Sequence, residues 1–193
     1  RPLDAPASVV TCSMEGTRPL LVEIQALACR TNFAAPRRTA SGVDYNRLNL
    51  LIAVMEKRAG CRLWEDDVYV NIAGGLRVTE PAADLAIVLA VASSLSDRPV
   101  DRGLAAFGEI GLSGEVRSVS RAADRVREAA KLGFTTCIVP GSCLRSSGMK
   151  EVEGIRVIGV SNVAEAIRQM ILTKGEGPAE QVSDAEPSSD PAV

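Results

Sequence analysis

Arg30, Arg37, Arg38 and Arg47, followed closely by Lys57 and Arg58, are the residues of this chain whose types and spacing could do chemistry. The four arginines lie in or beside one loop that also holds Thr39, Ser41 and Asn46, and the last two cations end the helix that the loop feeds. A guanidinium fork matches two phosphate oxygens at once. Several such groups, with hydroxyl and amide donors among them, can grip a nucleic-acid backbone without reading its sequence. A second reading stands beside this one: a solvated loop or a subunit interface, its arginines paired to acids such as Glu65, Asp66 and Asp67.

Nucleophilic catalysis has poorer material. A serine nucleophile needs a base within hydrogen-bond reach. The chain has no histidine, so a Ser-His-acid triad is impossible. A helix surface or a turn accounts for each of Ser93, Ser94, Ser113 and Ser120. Glu80, Asp84 and Glu109 could form an acid pair, but negative charge is favourable at a helix start, so capping and salt-bridging the helix that opens at Pro81 is the better reading. The five cysteines are an odd number with no Cys-x-x-Cys pair, which argues against a disulfide framework and a structural zinc site. Reduced, mostly buried thiols are expected. Gly74-Gly75 and Gly111-x-x-Gly114 read as turn glycines. The Gly-x-x-x-x-Gly-Lys-[Ser/Thr] loop is absent, so no ATP site is expected on this chain.

These residues must be positioned by regular elements, and the hydrophobic pattern supplies them. Residues 8–14 and 20–27 read as two strands about a turn at 15–19. A polar, basic loop follows from Arg30 to Gly42. Asp44 caps a helix with Leu48, Leu51, Ile52, Met55 and Ala59 on one face, and Gly60 ends it. A strand at 67–73 breaks at Gly74-Gly75. The helix that begins near Pro81 is apolar nearly all round and should be central. A strand at 104–110, a turn, a short strand at 115–119, a charged helix at 120–132 and strands at 135–139 and 155–160 come next. Asn162 and Glu165 form a capping box for the last helix, 162–172. The order predicts a mixed α/β (α+β) fold, with 1–7 as an N-terminal linker, 8–172 as the folded domain and 173–193 as a disordered acidic tail.

Composition agrees with a soluble globular domain, at 46 % hydrophobic and 24 % charged residues. Aromatics make up 3 % of the chain, which argues against an aromatic platform for stacked bases. No apolar run approaches the roughly 20 residues of a membrane span, and residues 1–6 do not read as a signal peptide. An opening at Arg1 fits a piece of a longer or processed chain. The net charge of −2 divides into about −4 over residues 173–193 and about +2 over the rest.

Two segments resemble the active-site segments of Lon-type serine-lysine peptidases. One runs from Gly74 to Asp84 into a helix, and the other from Gly108 to Ala123 and on to Ile138-Val-Pro140. In Lon-like peptidases the nucleophilic serine falls at position 82 and its lysine partner at 123. This chain has Ala82 and Ala123, and Lys57, Lys131, Lys150 and Lys174 all fall elsewhere. The resemblance implies a degenerate dyad with no catalytic residue on a retained scaffold.

A closer resemblance covers about residues 8–172. Glu15-Gly-Thr-Arg-Pro-Leu-Leu-Val-Glu-Ile-Gln-Ala-Leu27, Pro36-Arg-Arg, Asn46-Arg-Leu-Asn-Leu-Leu51, Asp84-Leu-Ala and Gly108-Glu-Ile-Gly-Leu-Ser-Gly-Glu-Val116 look like the C-terminal domain of the bacterial-type DNA repair family RadA, also called Sms. The resemblance implies a ribosomal protein S5 domain 2-like, Lon-protease-like fold. It implies a non-proteolytic domain that is no enzyme by itself, an oligomerisation and DNA-binding platform for an ATP-dependent branch-migration motor N-terminal to it. ATP, magnesium and zinc are expected only in that N-terminal part, with no cofactor or metal on this chain, and the full-length protein is expected to be a DNA-dependent ATPase or helicase. The implied partners are single-stranded or branched DNA, further copies in a homo-oligomer (a hexamer) and a RecA-type recombinase, with no membrane. The expected compartment is the bacterial cytoplasm, or alternatively a plant chloroplast or mitochondrion. The alternative functions are a degenerate or active serine peptidase, or a peptide- or protein-binding module.

Overall fold

The computed structural model describes residues 7–173, so the expected acidic tail, Thr173 apart, and residues 1–6 of the expected linker lie outside the described residues. Ala7, counted with that linker, is buried in the core, and its N–H donates to Ser93 Oγ at 2.9 Å.

The chain folds as the mixed α/β protein that its periodicity predicts. Among the described residues nine strands, β1 (Ser8–Glu15), β2 (Arg18–Arg30), β3 (Arg38–Ser41), β4 (Asp66–Ile72), β5 (Leu104–Ala106), β6 (Glu109–Ile110), β7 (Val116–Arg117), β8 (Thr136–Pro140) and β9 (Arg156–Val160), are interspersed with four α-helices, α1 (Tyr45–Ala59), α2 (Asp84–Leu95), α3 (Ala122–Lys131) and α4 (Val163–Thr173). Seven strands form one sheet in the order β3-β4-β2-β1-β5-β8-β9, and β6 and β7 form a separate antiparallel hairpin. The β1–β2 and β2–β4 pairs are antiparallel; the remaining pairs of the large sheet are parallel.

Strand alternation divides the sheet into two faces. Val9, Ile24, Val70, Ile72, Leu104, Ala106 and Ile138 belong to one buried cluster with residues of α1, α2 and α4. Ala105, Phe107, Cys137 and Val139 belong to the other, with Ala122, Val126 and Ala129 of α3. Residues 84–94 of α2 are all buried, as a helix apolar all round requires. Helix caps fall where the sequence puts them. Asp44 accepts from Arg47 N at 2.8 Å, and Gly60 adopts φ +67°, which lets the following Cys61 N–H donate to Met55 O at 3.1 Å. Asn162 accepts from Glu165 N, while the Glu165 carboxylate bonds Ser161 N rather than Asn162 N, a capping box shifted by one residue.

Two expectations need correction. The polar segment 30–42 is not all loop: Arg38–Ser41 forms β3, in parallel register with Val68–Asn71 at the sheet edge. The run 104–110 is not one strand. It leaves the sheet at Phe107–Gly108, where Gly108 N donates to Ala82 O at 2.8 Å and Gly108 O accepts from Leu85 N at 3.0 Å. A side chain at 108 would meet Val116 at 2.9 Å and Pro140 at 3.2 Å, so glycine alone lets the chain cross the start of α2 so closely.

Candidate functional site

Ala82 lies in the 3-10 turn Pro81–Ala83 that leads into α2, buried to 4 % exposure. Two arginine–carboxylate clamps flank it. On one side Glu80 receives Arg125 Nη1 at 2.5 Å and Nη2 at 3.1 Å, and also Met14 N at 2.9 Å. Arg125 is itself 1 % exposed and spends its remaining donors on Cys12 O at 2.8 Å and Ser120 O at 2.9 Å. Burial works to raise the Glu80 carboxyl, but the Arg125 and Met14 hydrogen bonds and the Arg125 charge outweigh it and hold the group below its ordinary value. On the other side Arg47 grips Asp84 with two donors, Nε at 2.9 Å and Nη2, and Nη2 also reaches Ile110 O at 3.0 Å. Asp84 accepts Ile110 N at 3.0 Å as well. Burial pushes the Asp84 carboxyl above its ordinary value against the pull of Arg47 and the Ile110 N–H.

The two alanines singled out in the sequence have different surroundings. Ala82 lines a cleft of about 180 Å³ with Glu80, Glu109, Ser118, Ser120 and Arg125. Ala123 is absent from that lining and sits beneath the turn at Gly148, where a built Cβ would lie 3.7 Å from its own. Positions 123 and 125 are about 200° apart around a helix at 3.6 residues per turn, so they leave α3 in nearly opposite directions. The cation beside Ala82 is therefore an arginine already paired with Glu80, and a guanidinium does not act as a base. Ser93 and Ser94 are not surface hydroxyls as expected: both are buried and accept from Ala7 N and Ala28 N.

The structure divides the six cations singled out in the sequence. Arg47 sits in the first turn of α1, ten residues before Lys57 and so about 15 Å along the helix, with its guanidinium held by Asp84. Arg30, Arg37 and Arg38 gather at the opposite end, where β2 ends and β3 and β4 begin; Lys57 closes α1 just before the 60–65 loop, while the Arg58 stem packs against Gly114 of the β6–β7 turn. Arg38 is an anchor there. Its guanidinium bonds Asp66 O and, at 2.9 Å, Leu63 O, tying the 60–65 loop to β3. Arg30 pairs with Glu65 at 3.2 Å, both side chains well exposed. Arg37 donates its backbone N–H to Asp67 at 2.7 Å and lays its guanidinium over the Phe33 ring, 3.5 Å from the centroid. Lys57 and Arg58 are exposed in the last turn of α1, where the helix dipole favours positive charge. Sequence reasoning missed Arg62, whose guanidinium lies 5.7 Å from the centre of the Trp64 ring. The pairs Phe33-x-x-x-Arg37 and Arg62-x-Trp64 were its available signal.

Among the described residues no cluster of three or more His, Cys, Asp and Glu side chains could hold a metal ion. No described helix is long and apolar enough to cross a membrane.

Comparison with known proteins bears on this arrangement. Residues 47–142 match the family described as subunit ChlI of Mg-chelatase. Over 161 residues the chain is 55 % identical to a protein named DNA repair protein RadA from Bacillus subtilis, covering 83 % of this chain and 35 % of the relative. A protein of the same name from Halalkalibacterium halodurans is 53 % identical over 160 residues (83 % and 35 %), and one from Streptococcus pneumoniae 45 % over 166 (86 % and 39 %). The chain thus spans little more than a third of the length of the curated relatives it matches. These relatives are bacterial, which gives no support to a plant organelle. The match to a subunit of an enzyme, beside relatives named for DNA repair, runs against the expectation that this chain is no enzyme by itself and corrects it.

Proposed function

We propose that the chain is a region of a RadA-type DNA repair ATPase, in which it holds DNA and joins protomers for an ATP-driven branch-migration motor. The observation that carries the DNA reading is the gathering of Arg30 and Arg37 at one end of the sheet, beside the Arg38 anchor of the 60–65 loop, with Lys57 exposed at the end of α1 that leads into that loop. The name shared by relatives at 45–55 % identity supports the repair role. The scaffold is read as ribosomal protein S5 domain 2-like and Lon-protease-like; the turn into α2 at Ala82, crossed by the Gly108 strand, supports this. The degenerate positions leave the scaffold to assembly and DNA contact within the ATPase, with ATP and magnesium serving the whole assembly. A hexamer and a RecA-type recombinase are its proposed partners.

Neutralising Arg30, Arg37 or Lys57 to glutamine, one at a time, tests the DNA contact. Removing a cation that touches a phosphate should weaken binding of single strands and duplexes alike and lower the slope of log affinity against log salt by about one. Titrations of a labelled oligonucleotide across a salt series read both. Unchanged affinity and slope in all three variants would remove DNA contact from this face.

A further inference from the structure

Of the six aromatic residues in the chain, four stand at the surface rather than in the core: Phe33 at 48 % exposure, Tyr45 and Trp64 at 53 %, and Tyr69 at 37 %. Burying a ring contributes more than almost any other side chain can, so exposed rings carrying guanidiniums need a reason. Phe33 and Trp64 occupy the two loops at the cationic end of the sheet. These loops are joined by Thr31 N to Glu65 O at 2.9 Å and by the Arg30–Glu65 pair, each within three residues of both rings. Tyr69 lies three residues along β4 from the Arg30–Asp66 rung, about 10 Å away, in a row with Thr39 and Leu27. α3 packs over the other half of this face, against Ala105, Phe107, Cys137 and Val139. The local charge favours a polyanion. Arg30, Arg37, Arg38, Lys57 and Arg62 outnumber Glu56, Glu65, Asp66 and Asp67.

We propose that Phe33–Arg37 and Trp64–Arg62 form a base-stacking site for the unpaired nucleotides of a single-stranded nucleic acid. A base needs a flat apolar partner and its phosphate needs a cation, and each pair brings both together, Arg37 over one face of the Phe33 ring and Arg62 near the Trp64 ring. Stacking of this kind is indifferent to sequence, because every base has a π-face. A duplex keeps its bases stacked on one another and cannot use these rings, so the site selects single strands where the surrounding cations do not. The proposal rests on the DNA reading above and adds which nucleic-acid form is preferred and by which side chains.

Trp64 is the chain's one tryptophan, so its fluorescence reports this site alone. The test titrates the chain with an oligothymidine, with an abasic oligonucleotide of equal length, and with a duplex. Oligothymidine should quench Trp64, whereas the abasic strand should bind through its phosphates and leave the emission unchanged. Phe33→Ala and Trp64→Ala, read by anisotropy of the labelled strand, should each weaken oligothymidine binding by about tenfold with the salt slope and duplex affinity unchanged. Trp64→Phe should restore most of the loss. Equal binding of oligothymidine and abasic strand, with both alanine variants at wild-type affinity, overturns the stacking site and leaves the cationic contact standing. Absence of binding to all three probes removes the DNA reading and this site with it. Loss of duplex and single-strand affinity together in the alanine variants marks the rings as structural and overturns the proposal.

Discussion

Replacing Arg125 with alanine is expected to destabilise the fold by about 3–5 kcal/mol, the cost of leaving one partner of a buried ion pair without the other. Arg125 is 1 % exposed and holds three segments together: the end of β1 through Cys12 O, the approach to α2 through Glu80, and the approach to α3 through Ser120 O. Its removal takes a donor from two carbonyls, leaves the partly buried Glu80 carboxylate without its cation, and also opens a cavity. Glu80→Ala in the same background should recover part of the loss, because the stranded charge goes with it. The pair also sets a pH dependence. The Glu80 carboxyl lies below its ordinary value of 4.5 in the folded protein, so its contribution is complete above that value and is lost as pH falls through the lower, folded one. In the Arg125→Ala protein that advantage is gone. The gap between the urea midpoints of the two proteins should therefore be widest at pH 7 and narrow, without closing, as pH falls below 4.5. Parallel curves across the acid range would show that Glu80 is not held by Arg125.

The second clamp should be asymmetric. Asp84 has a side chain 2 % exposed, while that of Arg47 is 31 % exposed. Arg47→Ala strands a charge in the core and is expected to cost about 3 kcal/mol or more. In Asp84→Ala the guanidinium can turn to water, so the loss falls to about 1–3 kcal/mol, chiefly for the Ile110 N–H left bare. Arg47→Lys should rescue little, since an ammonium cannot reproduce the two-pronged contact and still reach Ile110 O. Chemical denaturation of the three variants measures the order. Because the Arg47 guanidinium faces Asp84, Arg47→Ala should leave the salt slope of DNA binding unchanged at temperatures where the variant is folded.

Local signals were legible in the sequence and distant ones were not. The ends of α1 follow from Asp44 and Gly60, and the central place of α2 follows from its apolar sides, because a cap or a stripe is decided within a few residues. β3 escaped because four residues with one β-branched member carry little pattern; its partner on β4 lies thirty residues on. The clamps escaped for the same reason. Arg47 meets Asp84 across 37 residues and Arg125 meets Glu80 across 45, and no periodicity reports such pairs. Six cations in sequence proximity read as one patch, yet one helix separates Arg47 from the rest. A low aromatic content argued against base stacking, but an average over the chain hides two rings placed together at one sheet end.

Hydrogen exchange of the chain alone and with a saturating single-stranded oligonucleotide tests most directly whether the cationic end of the sheet is the face that holds DNA. New protection is predicted in residues 30–38 and 57–67, with none at 78–84 or 118–125 around the cleft beside Ala82. Protection confined to that cleft, or saturating binding with no protection at the sheet end, would contradict the account.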